Sequence, residues 1–333
     1  MNSEKPRRRF PFIKISIILF LLLFLCICFI GSTYFVIKFI DTLQVGPYDE
    51  TILSGNRNEQ IAVVEINGVI SSTPEAGGFF DPVQEDMVTR TIDKLEKTKN
   101  DDNIKAVILD INSPGGEVYG SELIALKIKE VKEKKPVIAL MRDTAASGGY
   151  YIAAPANKIV ASEITITGSI GVLIQTADIE GLYNKLGIQI YTVTNSEGDN
   201  KVLTGQDLGD PNSEGFTILR GVLDDTYDKF VETIVEGRGM TEAEVVALAD
   251  GRIYSGRQAL ENGLVDEIGY MDKAIELAME EADLAEPRVV IIAKEEEAHS
   301  IDEQIAKLIS NTNEVVTGEA PGGKLKVFYL LPY

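Results

Sequence analysis

The stretch AVILDINSPGGEVYGSELIALKIKEVKEKKPVIALMRDTAASGGYYIAA, residues 106–154, decides the fold. It opens on a short apolar run rich in β-branched residues, Ala106–Ile111, bounded by Asn112. A helical pattern over Ser121–Lys134 follows, then a second apolar run, Val137–Met141. Strand, helix, strand at this spacing predicts parallel pairing through a crossover helix. Each run leads into a glycine pair, Gly115-Gly116 after the first and Gly148-Gly149 after the second.

The same rhythm extends outward. Ile61–Ile66 reads as a strand and Pro82–Leu95 as a helix before the central stretch, and Ile159–Ala161 reads as a strand after it. Ile188–Val193 also has strand composition. Ser213–Glu236 predicts a long helix ended by Gly237 and Gly239, and shorter helices follow near Thr241–Ala249, Ser255–Asn262 and Met271–Glu281. Val289–Ala293 is a late strand. The expectation is an α/β domain over residues 58–293, with a parallel sheet and flanking helices. Residues 38–57 read as a linker and 294–333 as a tail. The tail ends on the apolar run Lys324–Tyr333. Such a run is expected either in a peptide groove of its own or a neighbouring subunit, or as an edge strand or subunit contact.

The 333 residues carry a net charge of −20. Residues 1–40 hold six basic side chains and one acidic one, a balance of +5, so the remainder carries −25. A surface of that sign repels phosphate backbones, and nucleic acid is not an expected partner. Ile15 to Ile37 is an uncharged run that spans about 34 Å as a helix, enough for a bilayer core. It is longer than a cleaved leader. Arg7, Arg8, Arg9 and Lys14 precede it, and Lys38 alone follows closely. Residues 1–14 are therefore expected in the cytoplasm, 15–37 in the membrane in contact with lipid, and the rest outside the cytoplasmic face.

The chain has one histidine, His299, beside Glu295-Glu296-Glu297. That position does not suit Ser-His-Asp catalysis or a histidine-ligated metal. The two cysteines, Cys26 and Cys28, lie inside the apolar run, which leaves no thiolate metal site and no disulfide framework. No cofactor or metal signature is present.

Two motifs carry chemistry. In Asn112-Ser113-Pro114-Gly115-Gly116-Glu117, paired glycines after a strand let backbone N–H groups approach a ligand atom. This suits an oxyanion hole, a phosphate cradle or a plain strand-to-helix turn; no P-loop Gly-Lys-Ser/Thr follows. In Asp143-Thr144-Ala145-Ala146-Ser147-Gly148-Gly149-Tyr150, a serine stands at the mouth of a helix stopped by Pro155. Ser147 is a nucleophile with an oxyanion donor beside it, or a simple helix cap. Asp224, Asp225 and Asp228 on the long helix read as a solvated face.

These two motifs, in this order, resemble the signal peptide peptidase SppA family, Ser/Lys proteases of the ClpP/crotonase-like fold. The segments Thr165–Val172, Ala249–Ala259 and Gly263–Asp266 extend the resemblance, which covers about residues 58–285. It implies Ser147 as nucleophile, the N–H groups of Gly116 and Gly148 as oxyanion pair, and Ser169 as the hydroxyl orienting a lysine. Ser169 between two glycines also reads as a turn serine. The family's lysine falls on Lys201, where Gly198-x-x-Lys201 keeps the glycine-to-lysine spacing, with an insertion before it and Asn200 in place of a tyrosine. Lys185 is the competing lysine. The resemblance further implies remnant signal peptides as substrates and a homo-oligomeric ring with sites completed between neighbours. An acyl-CoA enzyme of the crotonase type and an inactive peptide-binding scaffold are the rival readings.

Overall fold

The computed structural model describes residues 48–54, 56–74, 85–195, 197–198, 201 and 208–294. The Ile15–Ile37 run, His299 and the 295–333 part of the tail lie outside them. No helix among the described residues is long and apolar enough to cross a membrane.

The architecture is mixed α/β, built on a nine-stranded, mainly parallel sheet. Its strands are β1 (Tyr48–Ser54), β2 (Asn56–Asn67), β3 (Ile104–Ser113), β4 (Val137–Ala146), β5 (Lys158–Ala161), β6 (Ile166–Gly168), β7 (Ile253–Ser255), β8 (Glu267–Ile268) and β9 (Pro287–Lys294). The main path runs β1-β9-β2-β3-β4-β5-β8, and β6 joins β4 to β7. Helices α1 (Met87–Asn100), α2 (Val118–Lys132), α3 (Gly148–Ala153) and α4 (Glu180–Leu186) lie between the strands or beyond them. The later helices are α5 (Glu214–Arg238), α6 (Glu242–Leu248), α7 (Gly256–Glu261) and α8 (Met271–Ala282).

Burial explains the strands. Val107, Leu109 and Ile111 of β3 enter one core with Val64, Ala139, Ile124 and Ile234, while Ala106 and Ile108 enter a second core with Ile138, Ala274 and Leu277. Both faces of the central strands are therefore covered, which is why their sequences read as continuous apolar runs. Helix starts follow their caps: Asp86 accepts from the Thr89 N–H at 2.9 Å, and Ser213 accepts from the Phe216 N–H at 3.1 Å. Capping boxes begin α6 at Thr241 and α7 at Ser255.

Three expectations differ from the structure. Tyr48–Ser54, inside the expected linker, is a strand paired antiparallel to β9, because that edge offers a free ladder of backbone groups. The first helix starts at Met87, after its Asp86 cap, and not at Pro82. Ile188–Val193 forms no strand; Ile190, Tyr191 and Val193 are 68%, 82% and 93% exposed, with no partner strand among the described residues.

One buried charge stands in the sheet. Asp110 on β3 is 4% exposed, pairs in register with Glu65 of β2, and lies 3.4 Å from the Arg142 guanidinium. Burial pushes its carboxyl up to about 6, against the pull of Arg142 and with help from Glu65. A raised value favours the acid form in the folded chain. Its stabilisation is complete below the ordinary value of 3.8 and is lost as pH rises through about 6. Measured against Asp110→Asn, which cannot ionise, the protein should lose roughly 2–3 kcal/mol between about pH 4 and about pH 7 in urea unfolding. A difference that is flat with pH would show that Asp110 does not titrate in this way.

Candidate active site

The parallel register of β3 and β4 brings the two glycine turns together. Ser113 pairs with Ala145, so the chain leaves both strands at the same level. The first half of β4 pairs with β5 and the second half, Thr144–Ala146, pairs with β6. Thr167 fastens this second pairing through its side chain, which donates to the Ala145 carbonyl at 2.6 Å. Thr165 does the same to the Arg142 carbonyl at 2.6 Å.

Ser147 follows directly. Its φ of 52° and ψ of −121° lie in a region that a residue with a Cβ rarely adopts. Such a conformation costs roughly 1–3 kcal/mol, which the surroundings must offset. Its N–H donates to the Gly168 carbonyl at 2.8 Å, and its carbonyl accepts from the Tyr151 N–H at 2.9 Å. The side chain makes no cap bond to α3. The helix-cap reading therefore fails, and the strained turn leaves the half-buried hydroxyl on a cleft wall.

The glycines are required by contact. A Cβ on Gly115, whose φ is +100°, would lie 2.7 Å from the Gly148 nitrogen. A Cβ on Gly148 would lie 2.5 Å from Ser121 Oγ and 3.2 Å from the Gly116 nitrogen. The Gly116 and Gly148 backbones are thus immediate neighbours beside Ser147.

These groups line a cleft of about 790 Å³. Gly116, Ser147, Gly148 and Ser169 all face it. Ser169 also has a positive φ, 49°, and its N–H donates to the Arg252 carbonyl at 2.8 Å. Lys201 is not among the lining residues. It is exposed, and its N–H donates to the Gly198 carbonyl at 3.0 Å. Lys185, on α4, is exposed as well and is also absent from the lining.

The far wall was not foreseen. Helix α5 supplies Leu223, Tyr227 and Phe230, and Phe230 packs edge-on against Tyr151 at 5.1 Å between ring centroids. Tyr151 accepts a hydrogen bond from Thr233 Oγ1 at 3.1 Å. Asp224 and Asp225, expected on a solvated face, border the cleft together with Arg220. The spacing of Leu223, Tyr227 and Phe230 marked an apolar helix face, but it could not tell a core stripe from a groove wall.

Residues 129–285 match the family described as Peptidase family S49. A protein of Enterococcus faecium provisionally named a signal peptide peptidase SppA is 38% identical over 73% of this chain and 69% of its own length. A provisionally named protease of Methanocaldococcus jannaschii is 34% identical over 85% of this chain and 88% of its own. Protease 4 of Haemophilus influenzae is 36% identical over 67% of this chain, which spans 35% of that protein.

The tightest glycine contact within the two turns gives a direct test. A Cβ on Gly116 would fall 2.1 Å from the Ile70 carbonyl oxygen, a backbone atom that cannot swing aside. Gly116→Ala should open the Ile70–Gly116 bridge, destabilise the protein by about 1–3 kcal/mol, and speed amide exchange at Ile70 and Glu117. Unchanged exchange at those two amides would show that the loop absorbs the methyl group.

Proposed function

The chain belongs to peptidase family S49 and is a serine peptidase, and from that premise we propose that it is a membrane-anchored endopeptidase that degrades remnant signal peptides with a Ser147/Lys201 dyad. The observation that carries the reading is Ser147, held at positive φ on the wall of a cleft with the Gly116 and Gly148 backbones beside it. A crotonase-type acyl-CoA enzyme would use the two N–H groups but has no need of a strained serine between them. On this reading the sheet with its two glycine turns is the ClpP/crotonase-like fold.

The chemistry follows from the inventory. Neutral Lys201 takes the Ser147 proton as the Oγ attacks a peptide carbonyl. The carbonyl oxygen, now carrying negative charge, lies against the Gly116 and Gly148 N–H groups. The lysine returns the proton to the leaving amine, and water then cleaves the acyl-enzyme. Ser169 orients the lysine. The apolar wall of Tyr151, Leu223 and Phe230 suits the apolar core of a signal peptide.

Lys201 does not line the cleft of its own chain, and on this reading a second copy supplies it. The segment around it supports this. Leu173, Leu186, Ile190 and Val193 are each more than 60% exposed. Large apolar side chains exposed together mark a contact surface. In a ring, this arm covers its neighbour and brings Lys201 to that neighbour's Ser147.

Ser147→Ala and Lys201→Ala should each lower peptide turnover by about 1000-fold or more while the assembly persists, and the double variant should be little worse. Mixed assemblies of the two single variants should regain part of the activity, because some neighbours then pair an intact serine with an intact lysine. Activity should rise toward alkaline pH, without a limb near the histidine value of about 6.5. Near-normal turnover in Lys201→Ala would transfer the base role to Lys185. The topology is tested separately: protease added to spheroplasts should digest the domain and spare Arg7–Arg9, and digestion of that basic segment would reverse the orientation.

A further inference from the structure

Glu117 stands at the N-cap of α2, yet its side chain makes no cap bond to that helix. It turns instead to the segment Gly68–Ser72. Oε1 accepts from Ser71 Oγ at 2.9 Å, and Oε2 accepts from the Ser72 N–H at 2.9 Å and from Ser72 Oγ. These bonds, from Ser72 first and Ser71 next, hold the Glu117 carboxyl below the usual range, so it stays ionised.

That segment runs directly beside the first glycine turn. The Gly68 N–H donates to the Asn112 carbonyl at 2.9 Å, the Ile70 N–H to the Gly115 carbonyl at 2.9 Å, and the Glu117 N–H to the Ile70 carbonyl at 2.8 Å. Ile70 and Gly116 thus form an isolated parallel bridge. In such a bridge the residues flanking Gly116 bond to Ile70, so the N–H of Gly116 itself points away from Ile70. The side away from Ile70 is the side of Gly148 and the cleft. Ile70 is fully buried in the core, which gives the bridge a fixed base.

We propose that Glu117 is a positioning residue for peptide hydrolysis: its carboxylate ties Ser71 and Ser72 to the loop, completes the clamp begun by the Ile70 bridge, and so aims the Gly116 N–H at the developing oxyanion. The inference rests on the proposed role of Gly116. A single backbone bridge allows the loop to rock about Ile70. Three further bonds, two of them to one carboxylate oxygen, stop that motion on the side next to the donor. A charged acceptor makes them strong for their length.

The experiment is steady-state cleavage of an apolar fluorogenic peptide by the full chain and its variants. Glu117→Ala should lower kcat by about tenfold to hundredfold with KM within about twofold, because a misaimed donor affects the transition state and leaves the bound substrate alone. Inhibition by a peptide aldehyde, whose adduct carries the oxyanion, should weaken by the same factor. Glu117→Gln keeps an oxygen that accepts from Ser72 and should restore most of kcat. Ser72→Ala in the Glu117→Ala background should add little, as expected for partners in one contact. If kcat is unchanged in both Glu117 variants and only thermal stability falls, Glu117 is structural and the proposal is overturned. A rise in KM at constant kcat overturns it in favour of substrate binding. Ser147→Ala run alongside separates the two levels: activity surviving there defeats the catalytic reading itself, whereas loss there with unaffected Glu117 variants defeats this inference alone. Should Glu117→Ala fail to fold, Ser72→Ala, which removes the hydroxyl bond to Oε2, takes its place with the same expected loss of kcat at constant KM, and an unchanged kcat there overturns the proposal.

Discussion

The register of β3 against β4 is the constraint on which the site depends. Ser113 opposite Ala145 places two strand exits at one height, and everything that lines the cleft on that side follows from it. A shift by one residue would turn every side chain of a strand to the opposite face. It would also part Gly115 from Gly148, whose backbones approach closely enough to exclude a Cβ. The strain at Ser147 is bearable because β4 changes partners just before it. Main-chain bonds to β6 and the Thr165 and Thr167 hydroxyls hold the last residues of the strand, so the turn has no softer way to relax.

The small β6–β7 pair links this turn to a distant part of the chain. Gly168 lies opposite Ile253, and Ser169 and Ile170 bond to Arg252 and Gly251. The motif over 249–259 is therefore tied to the Ser147 turn through the backbone, about one hundred residues later in sequence. Tyr150, buried beside the serine turn, donates to the Leu264 carbonyl at 2.9 Å and fastens the 263–266 motif to the same region. These ties explain why several separated segments carried the resemblance together, although none of them but Ser169 contributes a proposed catalytic group.

The central sheet was legible because β2, β3 and β4 are buried on both faces and so read as unbroken apolar runs. The serine turn was legible because glycines cluster where backbones must touch. Other features left no such mark. Tyr48–Ser54 lies in a polar stretch whose strand is created by the edge of β9, a partner more than two hundred residues away. Ile188–Val193 has strand composition but no ladder among the described residues, and composition alone cannot supply one. The role of α5 as a cleft wall was hidden because an apolar helix face looks the same over a core and over a groove. The clamp at Glu117 was hidden because its partners, Ser71 and Ser72, are ordinary loop serines until the Ile70 bridge brings them alongside.

The antiparallel pairing of β1 with β9 fixes where the chain enters and leaves the sheet. Tyr48 lies opposite Lys294, so these two residues, at the outer ends of β1 and β9, stand about 5 Å apart. Strand β9 runs parallel to β2, so Lys294 stands at the end of the sheet toward which β2, β3 and β4 also run, the end that bears the glycine turns. Tyr48 and Lys294 thus meet at one post on the end of the sheet that bears the glycine turns. A pull applied through either Tyr48 or Lys294 therefore reaches the sheet at that same end.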